Sequence, residues 1–180
     1  MKKYVSLLRG INVSGQKKIK MAELKEMYLV AGFLNVETYI QSGNVVFESN
    51  KSDKFEIKTQ LEELIKNNFG FDVPVHVLSK QDIDNTFQIN PFLERENISI
   101  NHMGVTFLEH KVDNNIILSI SDLSVKGQDE FVAVGKNIFL LLPNGFGRTK
   151  LNNNFFEIKL KTTATSRNWK TITKLVEMMK

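Results

Sequence analysis

The chain has 180 residues, of which 42% are hydrophobic and 24% charged, a length that can bury a core without metal or disulfide staples. It contains no cysteine, which excludes disulfides, cysteine-type structural zinc and thiol nucleophiles. The formal charge of +4 is unevenly spread, with +3 in residues 1–50, −5 in residues 51–147 and +6 in residues 148–180, so a basic surface needs the two ends to meet.

Met1 to Arg9 begins like a secretory leader, but Arg9 interrupts the apolar run before it is long enough to be one. No stretch approaches the roughly 18 uninterrupted apolar residues of a membrane span. The expectation is a soluble cytoplasmic protein. Tyr4 to Arg9 reads as an interior strand, since apolar residues occupy both alternating sets. A loop with two glycines and clustered lysines follows, Gly10 to Lys18, and then a helix from Met21 to Ala31 stopped by Gly32. Val36–Gln41 and Asn44–Glu48 are β-rich and two residues apart, which predicts a tight hairpin turning on Ser42-Gly43. A second helix is expected over Asp53–Phe69 with Gly70 ending it, and a strand over Val73–Leu78. The order β-α-β-β-α-β is that of a ferredoxin-like sandwich.

Ser79 and Asp82 can cap a short helix to Gln88, closed by Asn90-Pro91. The domain boundary is placed here, giving halves of residues 1–90 and 91–180. In the second half the pattern predicts a strand over His102–Glu109, a short helix over Asp113–Ser119, and a hairpin of Glu130–Val134 and Asn137–Leu142 around Gly135-Lys136. A helix over Leu151–Lys161 and a terminal helix over Arg167–Met179 complete it, the latter capped by Thr165 or Ser166 with Arg167 and Asn168 in its first turn. The fold class is therefore α+β, two ferredoxin-like halves with an extra helix at the C-terminus. They echo each other in element order, with no repeat visible residue by residue.

In a ferredoxin-like sheet the end of the first strand lies beside the hairpin joining the second and third. Arg9, Gly10, Ile11 and Asn12 are thus expected next to Gln41, Ser42, Gly43 and Asn44. Lys17, Lys18 and Lys20 lead into the first helix at the same edge, where free helix N–H groups favour an anion. The competing reading is structural: Gly43 serves the turn, and Asn12 and Asn44 satisfy loop backbone groups. The spacing from Gly10 to Lys17 only resembles a phosphate-binding loop, because an extra residue precedes the lysine and no Ser or Thr follows to hold magnesium. An arginine in a helix first turn opposes the dipole, so Arg167 with Asn168 suggests a bound anion, against a reading in which Arg167 covers a core Trp169 and shares a solvated basic face with Lys170, Thr171 and Lys174. His76, His102 and His110 lack metal-ligand spacing, and no metal or cofactor is expected. Ser42 is no nucleophile elbow, and the third strand lacks the aromatics of RNA-recognition modules.

Four stretches together resemble one bacterial family: Leu7-Leu8-Arg9-Gly10-Ile11-Asn12-Val13, Lys20-Met21-Ala22-Glu23-Leu24, Thr38-Tyr39-Ile40-Gln41-Ser42-Gly43-Asn44-Val45 and Thr165-Ser166-Arg167-Asn168-Trp169-Lys170-Thr171. The family is that of domain of unknown function 1697, and the resemblance spans nearly the whole chain. It departs at Ser14, where the family has glycine. The resemblance implies an α+β fold of two sandwich-like halves and implies no reaction. The functional expectation is a binder of an anionic small molecule, a nucleotide or phosphorylated metabolite, through Arg9, Asn12, Lys17, Gln41, Ser42, Asn44, Arg167 and Asn168. Two arginines and several amides suit a phosphorylated ligand. The alternatives are nonspecific nucleic-acid binding by the basic C-terminal helix and an enzyme on a nucleotide-like substrate, with Ser42 or Tyr39 polarised by Arg9.

Overall fold

The computed structural model describes residues 1–121 and 128–180. The chain divides into two units, one of Met1–Asp84 with Leu175–Lys180 and the other of Asn85–Lys174. The fold is α+β, with one four-stranded antiparallel sheet and its helices in each half.

The first sheet holds β1 (Lys2–Leu8), β2 (Leu34–Tyr39), β3 (Asn44–Ser49) and β4 (Val75–Ser79), in the order β2-β3-β1-β4. β1 is interior, paired on one side with β3 and on the other with β4, which explains why both of its faces are apolar. Helices α1 (Met21–Val30) and α2 (Lys54–Phe69) supply the split crossovers. Local signals set the ends of α2. The Asp53 carboxylate accepts the Phe55 N–H at 2.8 Å, and Gly70 takes the left-handed conformation with φ 74°. Leu24, Tyr28, Ile57, Leu61 and Ile65 from the helices meet Tyr4, Leu8, Val45 and Phe47 from the sheet. Phe47 is the hub, with ring centroids of Phe33, Tyr28 and Tyr4 at 4.9, 5.4 and 5.9 Å. Truncating such a side chain costs about 3–5 kcal/mol. A polar pair inside, Ser6 Oγ with the Tyr28 hydroxyl at 2.8 Å, satisfies a phenol whose pKa burial raises far above its ordinary value, the Ser6 bond opposing.

After β4 the chain enters α3 (Lys80–Gln88) without a connecting loop. Ser79 and Asp82 form a reciprocal capping box: Asp82 N–H donates to Ser79 Oγ at 3.2 Å, and Ser79 N–H donates to the Asp82 carboxylate at 2.8 Å.

The second unit repeats the plan. β5 (Met103–Leu108), β6 (Glu130–Val134), β7 (Asn137–Leu141) and β8 (Ala164–Asn168) run in the order β6-β7-β5-β8, with helices α4 (Asn114–Ser121) and α5 (Asn153–Leu160), and α6 (Trp169–Met178) follows β8 directly. Ile138, Leu140, Phe156 and Leu160 are buried at its core.

Two sequence expectations are corrected. The first hairpin is not a two-residue turn: Tyr39 pairs with Asn44, leaving a four-residue loop, Ile40 to Gly43, in which Ile40 (φ 48°) and Gly43 (φ 74°) are left-handed. Asn44 Nδ2 donates to Tyr39 O and Ser42 Oγ, both at 3.0 Å, and ties the wider loop together. The second hairpin does have the two-residue turn, Val134 pairing with Asn137 across Gly135-Lys136. The second correction concerns residues 164–168, which form β8 rather than a helix N-terminus. The β-branched run Thr162, Thr163, Thr165 suits a strand, and β5 offers an open edge to pair with it. The cap of α6 is Asn168, whose Oδ1 accepts the Thr171 N–H at 2.8 Å.

The two sheets also match in register, which no sequence identity announces. Leu7 pairs with Asn44 and Phe107 with Asn137. Leu8 N–H donates to Gly43 O at 2.8 Å and Leu108 N–H to Lys136 O at 2.8 Å. One residue on, Arg9 N–H donates to Pro74 O at 2.9 Å and Glu109 N–H to Thr163 O at 3.1 Å. Glu109 therefore stands in the second unit where Arg9 stands in the first.

Candidate functional site

The edge of the first sheet where β1 ends is built around Asn12. This residue is left-handed (φ 56°), a conformation that asparagine tolerates because its short amide bonds locally. Its Oδ1 accepts the Ile19 N–H and its Nδ2 donates to Ile19 O, all at 2.9 Å, so the amide closes the loop from Gly10 to Lys18 on itself. The same Nδ2 donates to Gln41 O at 2.9 Å and fastens that loop to the hairpin tip. The glycine loop and the hairpin are thus neighbours, with the Asn12–Gln41 bond as the direct link.

Gly43 makes the close approach possible. A Cβ there would lie 2.7 Å from Leu8 Cβ and 2.8 Å from Ile11 Cδ1, and its φ of 74° is left-handed. Asn44 is fully buried, its amide spent on the loop. The amides of Asn12 and Asn44 hold the edge in shape, and the Ser42 hydroxyl oxygen accepts one of the Asn44 bonds.

Arg9 is half-buried at the end of β1, and Gln41 is exposed at the hairpin tip. Lys17 reaches across to Asp72, donating its Nζ to the backbone carbonyl, while the Asp72 carboxylate pairs with Lys66 at 2.9 Å. The Lys66 hydrogen bond and charge, with a smaller contribution from Lys17, hold the Asp72 carboxyl below its ordinary range. Helix α1 starts from Lys20 with no side-chain cap, leaving first-turn N–H groups without that partner; the Lys20 ammonium pairs with Glu23 at 2.9 Å.

Arg167 and Asn168 are in the second unit, on β8. Arg167 is 6% exposed and stands opposite Val105, with Nη1 donating to Thr165 Oγ1 and Ser166 O, both at 2.8 Å. It belongs neither to a helix first turn nor to a solvated basic face. Lys170 and Lys174 are exposed on α6, whereas Thr171 is buried. Sequence reasoning missed Asp72, whose carbonyl anchors Lys17. Its only signal was position in the loop before Pro74. Among the described residues no group of three or more His, Cys, Asp or Glu side chains could hold a metal, and no helix is long and apolar enough to cross a membrane.

The family described as "Protein of unknown function (DUF1697)" matches residues 1–139. This chain belongs to the DUF1697 family. The match takes in the Asn12 loop and the hairpin tip and stops short of Arg167 and Asn168. Among solved structures, a conserved bacterial protein, SP0830 from Streptococcus pneumoniae, is 26% identical and superposes with a TM-score of 0.78 over 99% of each chain. The fold shared with that protein extends through both halves. No curated protein matches the chain.

Proposed function

We propose that this DUF1697 protein binds an anionic small molecule, a nucleotide or phosphorylated metabolite, at the edge framed by Arg9, Asn12, Gln41 and the start of α1. The carrying observation is a concentration of unusual backbone. Of the eight non-glycine residues with positive φ among the described residues, Asn12, Ser14, Lys17 and Ile40 lie in these two loops. Ile40 is β-branched and half-exposed, so its left-handed conformation, costing roughly 1–2 kcal/mol, is matched by only partial burial. Backbone held this way clusters at ligand sites, where it is over-determined by surrounding bonds such as those of Asn12.

In this reading the Arg9 guanidinium provides the bidentate fork and the uncapped N–H groups of α1 add a partial positive charge. Gln41 and the Ser42 hydroxyl orient the rest of the ligand, Lys17 strengthens the field from the side, and Asn12 and Asn44 position the loops.

The test is a thermal-shift panel of nucleotides, inorganic phosphate and sugar phosphates, with wild type and Arg9→Ala compared. A specific ligand at one hundred times its Kd stabilises the native state by about 2.7 kcal/mol. Arg9→Ala, compared with its own melting temperature without ligand, is expected to lose most of the ligand-induced rise. A panel with no hit at millimolar concentration, or a rise indifferent to Arg9→Ala, overturns the reading.

A further inference from the structure

We propose that β6 is a self-association edge, on which β6 of a second copy of this chain adds antiparallel to join two four-stranded sheets into one of eight strands. Among the described residues β6 pairs only with β7, and no described strand lies along its other side. The matched register of the two units allows a direct comparison with β2, the equivalent edge strand of the first. β2 is guarded: its register shifts between Leu34 and Glu37, Asn35 is left-handed with φ 48°, and Asn35 and Glu37 are exposed along it. Such bulges and charges keep sheet edges from pairing. β6 has no register shift and no left-handed residue, and its one charged residue, Glu130, stands at its first position. All five residues, Glu130 to Val134, pair with β7 without a shift, and four of the five are Phe, Val, Ala and Val.

Charge decides the occupant and its direction. Asp129 and Glu130 lie at the start of the strand and Lys136 directly after its end, with Glu130 and Lys136 exposed. Within the chain Glu130 pairs with Arg95 at 2.9 Å and Lys136 donates to the Glu109 carbonyl at 2.9 Å, so a second copy's Lys136 and Glu130 would compete with these partners at the two ends of the edge. Parallel addition of a second copy would set like charges together, whereas antiparallel addition sets the acidic end of each strand against the basic end of the other, twice by symmetry. Centring the two-fold on Ala133 places Glu130 level with the second copy's Lys136 and Val132 opposite its Val134. Val132 and Val134 share the face opposite Phe131 and Ala133, which pack on the core. These β-branched cross-strand pairs favour this register. A five-residue ladder buries well under the about 1,200 Å² of stable interfaces, so the dimer exchanges rapidly and follows concentration.

Light scattering across a concentration series, on the wild-type chain, is expected to show the apparent mass rising from 20.6 kDa toward twice that value. The absence of native cysteine allows a register test. Ala133→Cys sets two thiols face to face and is expected to give a disulfide-linked dimer under mild oxidation. Val134→Cys sets them two residues out of register, beyond the about 7 Å Cα limit for a disulfide, and is expected to crosslink at least tenfold less. Val132→Lys is expected to hold the mass at that of the monomer while leaving the circular dichroism unchanged. A mass independent of concentration up to the millimolar range, or equal crosslinking of the two cysteine variants, overturns the proposal.

Discussion

Asn12 shows how one side chain can clamp two loops together. Its amide makes three bonds at 2.9 Å, accepting one N–H and donating to two carbonyls, Ile19 O and Gln41 O. Asn12→Asp preserves size and tolerance of the left-handed backbone but replaces a donor with a carboxylate oxygen facing two carbonyl oxygens. Leaving those groups unsatisfied costs about 1–3 kcal/mol, so the variant is expected to lose about 2 kcal/mol in urea unfolding, whereas a loss under about 0.5 kcal/mol would show that the bonds contribute little. The sequence made Asn12 conspicuous and left its role open between ligand contact and loop clamp. The clamp rests on the position of the Gln41 carbonyl, and that position depends on how the hairpin is placed. Gly43 is similar: its need for a left-handed turn could be read locally, whereas its close approach to Leu8 and Ile11 could not.

At the level of elements, the helices whose ends carry their own chemistry were legible. Asp53 and Gly70 bound α2, and Ser79 with Asp82 open α3, as the residues suggested. The α3 capping box also makes a pH prediction. Burial pushes the Asp82 carboxyl up, but bonds from the Lys54 ammonium and from the Ser79 hydroxyl and N–H outweigh it, and the pKa lies below the ordinary 3.8. Because the folded-state value is the lower one, the stabilisation is complete above 3.8 and disappears as pH falls through the folded value. Exposure limits it to at most about 1 kcal/mol. Asp82→Asn is expected to lower stability by that order at pH 7 and to bring the variant and wild type together in acid denaturation near pH 2. A difference that persists undiminished at pH 2 would contradict the mechanism. The β8 strand was misread because Thr165 and Ser166 serve equally as caps and as strand residues. The pairing of Ala164–Asn168 with β5 is a long-range contact invisible to local pattern.

For the whole molecule, the matched registers place β1 and β5 as the central strands of their sheets, with β2 and β6 at open edges. Hydrogen exchange followed by mass spectrometry is expected to find peptides covering β1 and β5 the most protected, β2 peptides opening earlier, and β6 peptides slowing as protein concentration rises. Equal exchange across central and edge strands would contradict this order. The sequence by itself determined the α+β class, most of the elements and the polar groups worth watching, because periodicity, caps and glycines act over a few residues. Tertiary structure alone decided that Asn12 grips the hairpin, that residues 164–168 form a strand, and that Glu109 stands where Arg9 does in the first unit. Those outcomes depend on which distant backbone groups an antiparallel sheet brings opposite one another.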